Sequence, residues 1–269
     1  MNRLLIVEKL EMRFERTHVL GSKREVTALQ DVSFSIGRGS TLALVGESGS
    51  GKSTLALCIA CLGRPTSGKI VFDENELTAF DEKQLREVRP QIQLVFQDPS
   101  RSLNPRFSAL EIVTEPLLVQ GRLDKREREV RARILLDQVG IPQEKALQRG
   151  EEFSGGQRQR LAIARALSLE PKLLILDEAL SALDCSVQAQ IANLLIELQA
   201  SLGLTYLFIT HDFAMASHLA DEIAVMEQGR VIEIGAADKI LGAPDQEITR
   251  RLIAAMPRLT AEASAPRAV

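Results

Sequence analysis

The sequence contains no apolar run approaching the roughly 20 residues that cross a bilayer, so any work at a membrane would go through a partner. It also lacks a basic excess. In 269 residues, 33 Lys and Arg stand against 36 Asp and Glu, a formal net charge of -3, and this leaves no electrostatic footprint for nucleic acid. Cysteine is scarce, with three in the chain. Cys58 and Cys61 form a C-x-x-C inside "STLALCIACLG", but no second pair exists to complete a tetrahedral metal site. They read as two small residues on one face of a core helix, and Cys185 reads as a free thiol. That usage fits a reducing cytoplasm. The opening "MNRLLIVEKL" is broken by Glu8 and Lys9 and is too short and too charged for a signal peptide. No internal repeat of useful period is visible. What remains, 45% hydrophobic, is enough for one large α/β domain carrying an inserted subdomain.

The first hundred residues read mostly as strands. "VTALQDVSFSI" (26–36) alternates through Val32, Phe34 and Ile36, and "TLALV" (41–45) is a short continuous apolar run. These are the patterns of a half-buried and a fully buried strand. "KIVFD" (69–73) and "IQLVFQ" (92–97) are further strands, with helices over 50–62 and 81–89. From Asp98 to about Glu151 helical signals take over. In "DKREREVRARILLDQV" (124–139), Glu127/Arg131 and Glu129/Arg133 stand at i,i+4 in the favourable order, which predicts a solvated helix face. Alternation resumes with strands over 173–177 and 205–210, flanking a helix over 187–203 closed by Gly203. "IAVMEQGRVIEIG" (223–235) reads as a hairpin turning at Gln228-Gly229. A short helix over 245–256 follows, and the last dozen residues are expected to be disordered.

Chemistry concentrates in a few places. "GESGSGKST" (46–54) matches G-x-x-x-x-G-K-[ST] between a buried strand and a helix, the context of a phosphate loop. Gly46, Gly49 and Gly51 free backbone N–H groups to wrap phosphate oxygens alongside Glu47, Ser48, Ser50 and Thr54. Lys52 supplies charge at the β- and γ-phosphates, and the Ser53 hydroxyl suits Mg²⁺. "LLILDE" (173–178) is an apolar strand ending in two carboxylates. At a strand's C-terminal end these project into the ligand crevice of open α/β sheets. Asp177 is placed for Mg²⁺, and Glu178 to orient or deprotonate a water. His211 and Gln97 also end strands. His211 can donate to a γ-phosphate oxygen, and Gln97 can touch Mg²⁺ or the water, although either alone would read as structural. "EFSGGQRQRLAIARA" (152–166) looks like a second anion site, with Ser154 at a helix N-cap followed by Gly155 and Gly156. It has no lysine of its own.

In their order these pieces resemble the ATP-binding-cassette ATPases over roughly residues 4–240. The resemblance rests on the phosphate loop, the Gln97 loop, the signature "FSGGQ" (153–157), "LLILDE", the loop "SALD" (181–184) and His211. Phe153 stands where Leu is usual. The resemblance implies a RecA-like P-loop ATPase core with an antiparallel β subdomain (1–98 and 152–241), an inserted helical subdomain (99–151), and a C-terminal helix and flexible tail (242–269). It implies ATP and Mg²⁺ as ligands and Phe14 as the aromatic stacked on adenine, where Tyr is more common. The stretch 15–26 is a longer insertion than usual. In such proteins two cassettes pack head to tail, so Ser154, Gly155, Gly156, Gln157 and Asp184 would complete a site whose lysine belongs to the partner cassette.

"VFQDPSRSLNPRFSALEIVTEPL" (95–117) and "RRLIAAMPRL" (250–259) resemble the oligopeptide, dipeptide and nickel import branch. That branch implies a second cassette, identical or related, and two polytopic permease subunits on the inner membrane, with this chain at the cytoplasmic face. It further implies an extracytoplasmic binding protein acting indirectly. The 100–107 stretch, through Leu103 and Phe107, is expected to meet the permeases. Peptides are the first cargo expectation and nickel or a metal chelate the second. The reading of another class is a soluble ABC ATPase acting on nucleic acid or ribosomes, which the acidic balance and short insertion disfavour.

Overall fold

A long antiparallel hairpin opens the chain. In the computed structural model, which describes residues 3–17 and 23–255, β1 (Arg3–Thr17) pairs with β2 (Lys23–Gly37). There follow β3 (Thr41–Val45), α1 (Lys52–Ile59), β4 (Ser67–Phe72), β5 (Asn75–Glu76), α2 (Glu82–Val88) and β6 (Ile92–Val95). Next come α3 (Pro99–Ser102), α4 (Ala109–Val119), α5 (Lys125–Gln138), α6 (Gly155–Leu167), β7 (Leu173–Asp177), α7 (Cys185–Leu202) and β8 (Thr205–Thr210). The described chain closes with α8 (Phe213–Leu219), β9 (Glu222–Glu227), β10 (Arg230–Ala236), α9 (Ala237–Gly242) and α10 (Glu247–Ala254).

Two sheets result. The first, in order β2-β1-β4-β5, is antiparallel. The second runs β10-β9-β3-β8-β7-β6. Its strands are parallel except for the edge hairpin of β9 and β10. That hairpin turns where expected, with Gln228 at φ 44° and Gly229 at φ 80°, as a two-residue turn with both central residues left-handed requires. Alternate residues of the parallel strands feed two cores. Leu42, Leu44, Leu173, Ile175, Leu207 and Ile209 join α1 and the first sheet. Ala43, Val45, Leu174, Leu176, Tyr206 and Phe208 join α6 and α7 on the other face. A one-residue slip would exchange the two sets, so the register is strongly specified. The parallel arrangement brings the C-terminal ends of β3, β6, β7 and β8 to one edge.

Between β6 and α6 the described elements are α3, α4, α5 and short 3₁₀ turns, with no strand among the described residues. Ser108 with Glu111 and Asp124 with Glu127 form capping boxes that start α4 and α5. The i,i+4 expectation for α5 is corrected here. Glu127 is drawn into its cap, Arg131 pairs with Glu170 at 2.8 Å, and Arg133 donates to Gln143 Oε1 at 3.3 Å. Local spacing lost to partners supplied by the rest of the fold. Leu103, expected at a partner surface, is 6% exposed and belongs to the core, with Phe107 packed beside it. The C-x-x-C expectation is corrected as well. α1 ends at Ile59 and Cys61 lies beyond it at φ 57°, so the two thiols do not share a helical face. Both are buried, and burial pushes each thiol up to about 11. Cys185 is exposed.

α8 and α9 have no counterpart in the sequence reading. α10 is held by Glu233 of β10, whose carboxylate accepts from the Asp245 and Gln246 amides at 2.7 and 3.1 Å and from Thr249 Oγ1 at 2.5 Å. The 15–26 insertion, the 250–259 stretch and the expected disordered tail fall partly or wholly outside the described residues.

Gln159 in α6 is fully buried, and neither atom of its amide group has a hydrogen-bond partner among the described residues. A buried amide left unpaired costs about 1–3 kcal/mol. Gln159→Met keeps the shape and removes the polar atoms, so the thermal midpoint should rise. A fall in that midpoint would mean the amide is paired in solution.

Candidate active site

β3 delivers the chain to the centre of the parallel edge, and the loop 46–51 turns back over it. Two of its glycines are required by close approach. A Cβ on Gly46 would lie 2.1 Å from Met226 O, and one on Gly51, at φ 106°, would lie 2.5 Å from Ala28 O. Gly229 ties the hairpin turn to the loop by donating its N–H to Ser50 O at 2.9 Å. α1 then starts at Lys52, whose side chain is 4% exposed and doubles back under the loop. Its Nζ donates to Gly46 O and Glu47 O, both at 2.8 Å. Burial pushes the ammonium below the ordinary lysine value, and the Glu178 and Asp177 carboxylates partly offset this.

The adjacent strand ends supply the carboxylates. Asp177 ends β7, is 9% exposed, and accepts from Ser53 Oγ at 3.2 Å. Burial pushes its carboxyl above the usual range, with the Ser53 hydrogen bond opposing. Glu178 has φ 48°, a left-handed conformation that a residue with a side chain rarely adopts. Its N–H is fixed to Ile209 O of β8 at 2.9 Å. This hold, together with the neighbouring turn, keeps the carboxylate at the mouth of the edge. His211 Nδ1 lies 3.9 Å from Glu178 Oε1. Gln97 Nε2 donates to Ser181 Oγ at 3.0 Å, and Ser181 Oγ donates to Glu178 O at 2.9 Å. The loop after β6 is thereby tethered to the loop after β7.

A cleft of about 600 Å³ opens over these groups, lined by Lys52, Ser53, Gln97, Asp177 and Glu178. The same cleft has a second wall that sequence reasoning missed, made of Val26–Ala28 of β2 and the Gln228–Gly229 turn. Its only sequence signal was that turn. A Cβ on Gly229 would sit 2.8 Å from Ala28 O, so the glycine belongs to the wall as much as to the hairpin. Phe14 is 44% exposed and stands in register with Val26. Register partners share a face, so the ring lies beside the cleft rather than in it. No cluster of three or more His, Cys, Asp or Glu suited to a metal occurs among the described residues. Ser53 and Asp177 are an oxygen pair of the kind Mg²⁺ uses when water and phosphate complete its shell.

The signature segment is built as expected but elsewhere. Ser154 caps α6, accepting from the Gln157 N–H at 3.4 Å while Gln157 Oε1 accepts from the Ser154 N–H at 3.1 Å. Ser154 and Gly155 are exposed, and neither lines the cleft. Asp184 caps α7, accepting from the Val187 N–H at 3.0 Å. The structure therefore brings Lys52, Ser53, Asp177, Glu178, Gln97 and His211 together and leaves Ser154–Gln157 and Asp184 on a separate face.

The family model for ABC transporter matches residues 29–181, more than half of the chain. The chain belongs to the ABC transporter family. It is an ATPase cassette of that family. The probable peptide ABC transporter ATP-binding protein y4tS of Sinorhizobium fredii is 48% identical over 86% of this cassette and 66% of its own length. The dipeptide transport ATP-binding protein DppF of Escherichia coli is 46% identical over 88% of the cassette and 71% of its own length. Among solved structures, the dimeric post-hydrolysis state of the ATP-binding cassette MJ0796 bound to ADP and Pi superposes with a TM-score of 0.76 at 29% identity, covering 87% of this chain and 98% of that one. No helix among the described residues is long and apolar enough to cross a membrane.

Proposed function

We propose that this cassette is the ATP-hydrolysing subunit of a peptide importer. The observation that carries the catalytic part is one cleft lined by Lys52, Ser53, Gln97, Asp177 and Glu178, with His211 on the same sheet edge 3.9 Å from Glu178. The importer and its cargo are supported by relatives named for peptide and dipeptide transport.

In this reading the Gly46–Thr54 loop binds the triphosphate, and Lys52 exchanges its two loop carbonyls for β- and γ-phosphate oxygens. Phe14 closes on the base from beside Val26. Glu178 takes the proton of the attacking water, Gln97 orients that water, and His211 donates to the γ-phosphate. Ser53, Asp177 and Gln97 would hold Mg²⁺, which would supply charge neutralisation at the phosphates. Ser154, Gly155 and Gly156 hold the γ-phosphate of a nucleotide seated in a partner cassette, with Gln157 and Asp184 part of the same contact. An exposed helix N-terminus without a lysine suits that role, and the fold neighbour described as dimeric supports it. The partners are a second cassette and two permease subunits, with an extracytoplasmic binding protein acting through them and no nucleic acid. The cassette sits at the cytoplasmic face of the inner membrane.

The 100–107 stretch keeps its expected place at the permeases through the half-buried Phe107, and Ser102 of that stretch lines a further groove. This groove, between the β6 end and α4, presents Phe96 and Val119, 42% and 78% exposed, beside Glu115 and Arg165. Single exposed apolar residues are ordinary, so what favours this groove is that both side chains share it beside the inserted helices. Val119→Glu should leave ATP binding and the thermal midpoint unchanged while lowering transport in the assembled system. Normal transport by that variant would remove the groove from the account. The cargo is tested by reconstituting the transporter and measuring ATP-driven uptake of di- and oligopeptides against Ni²⁺. Uptake of Ni²⁺ alone would contradict the peptide assignment.

A further inference from the structure

The signature and the loop that ends at Asp184 come from distant parts of the chain, yet one side chain joins them. A Cβ added to Gly156 would lie 2.5 Å from Val187 Cγ1, 3.7 Å from Val187 Cβ and 3.8 Å from Val187 Cγ2. A Cβ on the neighbouring Gly155 would meet only Leu183 Cδ2, at an ordinary 3.6 Å. So the two glycines differ. Gly155 is open within its own chain, whereas Gly156 is made necessary by α7.

Val187 is held from both sides. Its N–H is taken by Asp184, which caps α7 at 3.0 Å. Its isopropyl group fills the space beside Gly156 in the first turn of α6, two residues after the Ser154 cap. A valine in a helix has essentially one rotamer, so Cγ1 cannot swing aside and the spacing of the two helix starts is stiff.

We propose that Val187 is a positioning residue for ATP turnover, setting the height of the signature turn against the Asp184 loop so that both reach a partner's nucleotide as one rigid unit. This rests on the cross-chain reading given above. It assigns Gly156 a requirement inside its own chain, independent of any phosphate it approaches.

The distances define the test. In the assembled transporter, Gly156→Ala should lower kcat by about 10²-fold, the scale of a 1 Å misplacement, with KM for ATP little changed because Lys52 is untouched. Adding Val187→Ala removes Cγ1 and Cγ2 and leaves a Cβ–Cβ contact near 3.7 Å, so the double variant should recover most of the lost kcat. If Gly156→Ala fails to fold, Val187→Ala alone carries the test. It should lower kcat at constant KM, and Val187→Ile, which keeps both γ carbons and the same helical rotamer, should restore it. Failure of the double variant to exceed Gly156→Ala, or an unchanged kcat in Val187→Ala, overturns the proposal. The cross-chain reading fails separately, through the Gly155→Asp result described below, since Gly155 does not touch Val187.

Discussion

Glu178→Gln should bind ATP as the parent cassette does and hydrolyse it about 10²–10⁴-fold more slowly, the range of general-base catalysis. The substitution removes a proton acceptor without changing shape. The local backbone is set by other contacts, with the residue 178 N–H on Ile209 O and its carbonyl accepting from Ser181, so the left-handed turn should persist. The Lys52 hydrogen bonds to Gly46 and Glu47 are also independent of that carboxylate. The expected phenotype is thus a kcat effect with KM nearly unchanged, read by single-turnover hydrolysis in the assembled transporter. Turnover within a few-fold of the parent, on the same scale of general-base effects, would reassign the base. His211, 3.9 Å away from Glu178, would be the next group to test.

Gly155→Asp should abolish closure over the partner's nucleotide while the mutant chain keeps its own. The new carboxylate would stand at the start of α6, where the cross-chain reading seats a γ-phosphate. Like charges a few ångströms apart cost about 1–4 kcal/mol at dielectric values from water to protein surface. The structure makes this substitution informative, because a Cβ at Gly155 meets only an ordinary contact to Leu183. The thermal midpoint should hold, and any loss of turnover is then not a loss of fold. With nucleotide trapped site by site, ATP should remain on the mutant chain's phosphate loop and the opposite site should lose its grip. Loss of ATP from the mutant chain's own loop, with the partner's site intact, would place the signature in the same chain's site.

Much of this architecture was legible in the residues. Short apolar runs ending in Gly46, Gln97, Asp177-Glu178 and His211 placed four strand ends on one edge, because a buried parallel strand needs apolar residues on both faces and delivers its next residue to the crevice. The Ser154 cap and the Gln228–Gly229 turn were legible for the same reason, since both are local geometry. What escaped depends on distant parts of the chain meeting. The wall at Val26–Ala28 exists through the approach of Gly51 and Gly229 to Ala28, which no local pattern encodes. Arg131 pairs with Glu170 because the Glu127 carboxylate is taken by the cap of its own helix, and an exposed i,i+4 pair is worth only about 0.3–0.5 kcal/mol. Leu103 looked available in a polar stretch but fills the helical core. The necessity of Gly156 was read as room for a phosphate, while the nearest obstacle is Val187 of its own chain.

The claim on which the account turns is that one cassette's phosphate loop and another's signature share a nucleotide. The direct measurement is the solution mass of the Glu178→Gln cassette with and without Mg-ATP, repeated after adding Gly155→Asp, with bound ATP quantified in every sample. ATP should drive the Glu178→Gln chain into a two-cassette particle. Gly155→Asp should leave ATP bound through Lys52 but hold the chain as a single cassette. A mass indifferent to ATP, or an ATP-driven pair that Gly155→Asp leaves intact, would contradict it.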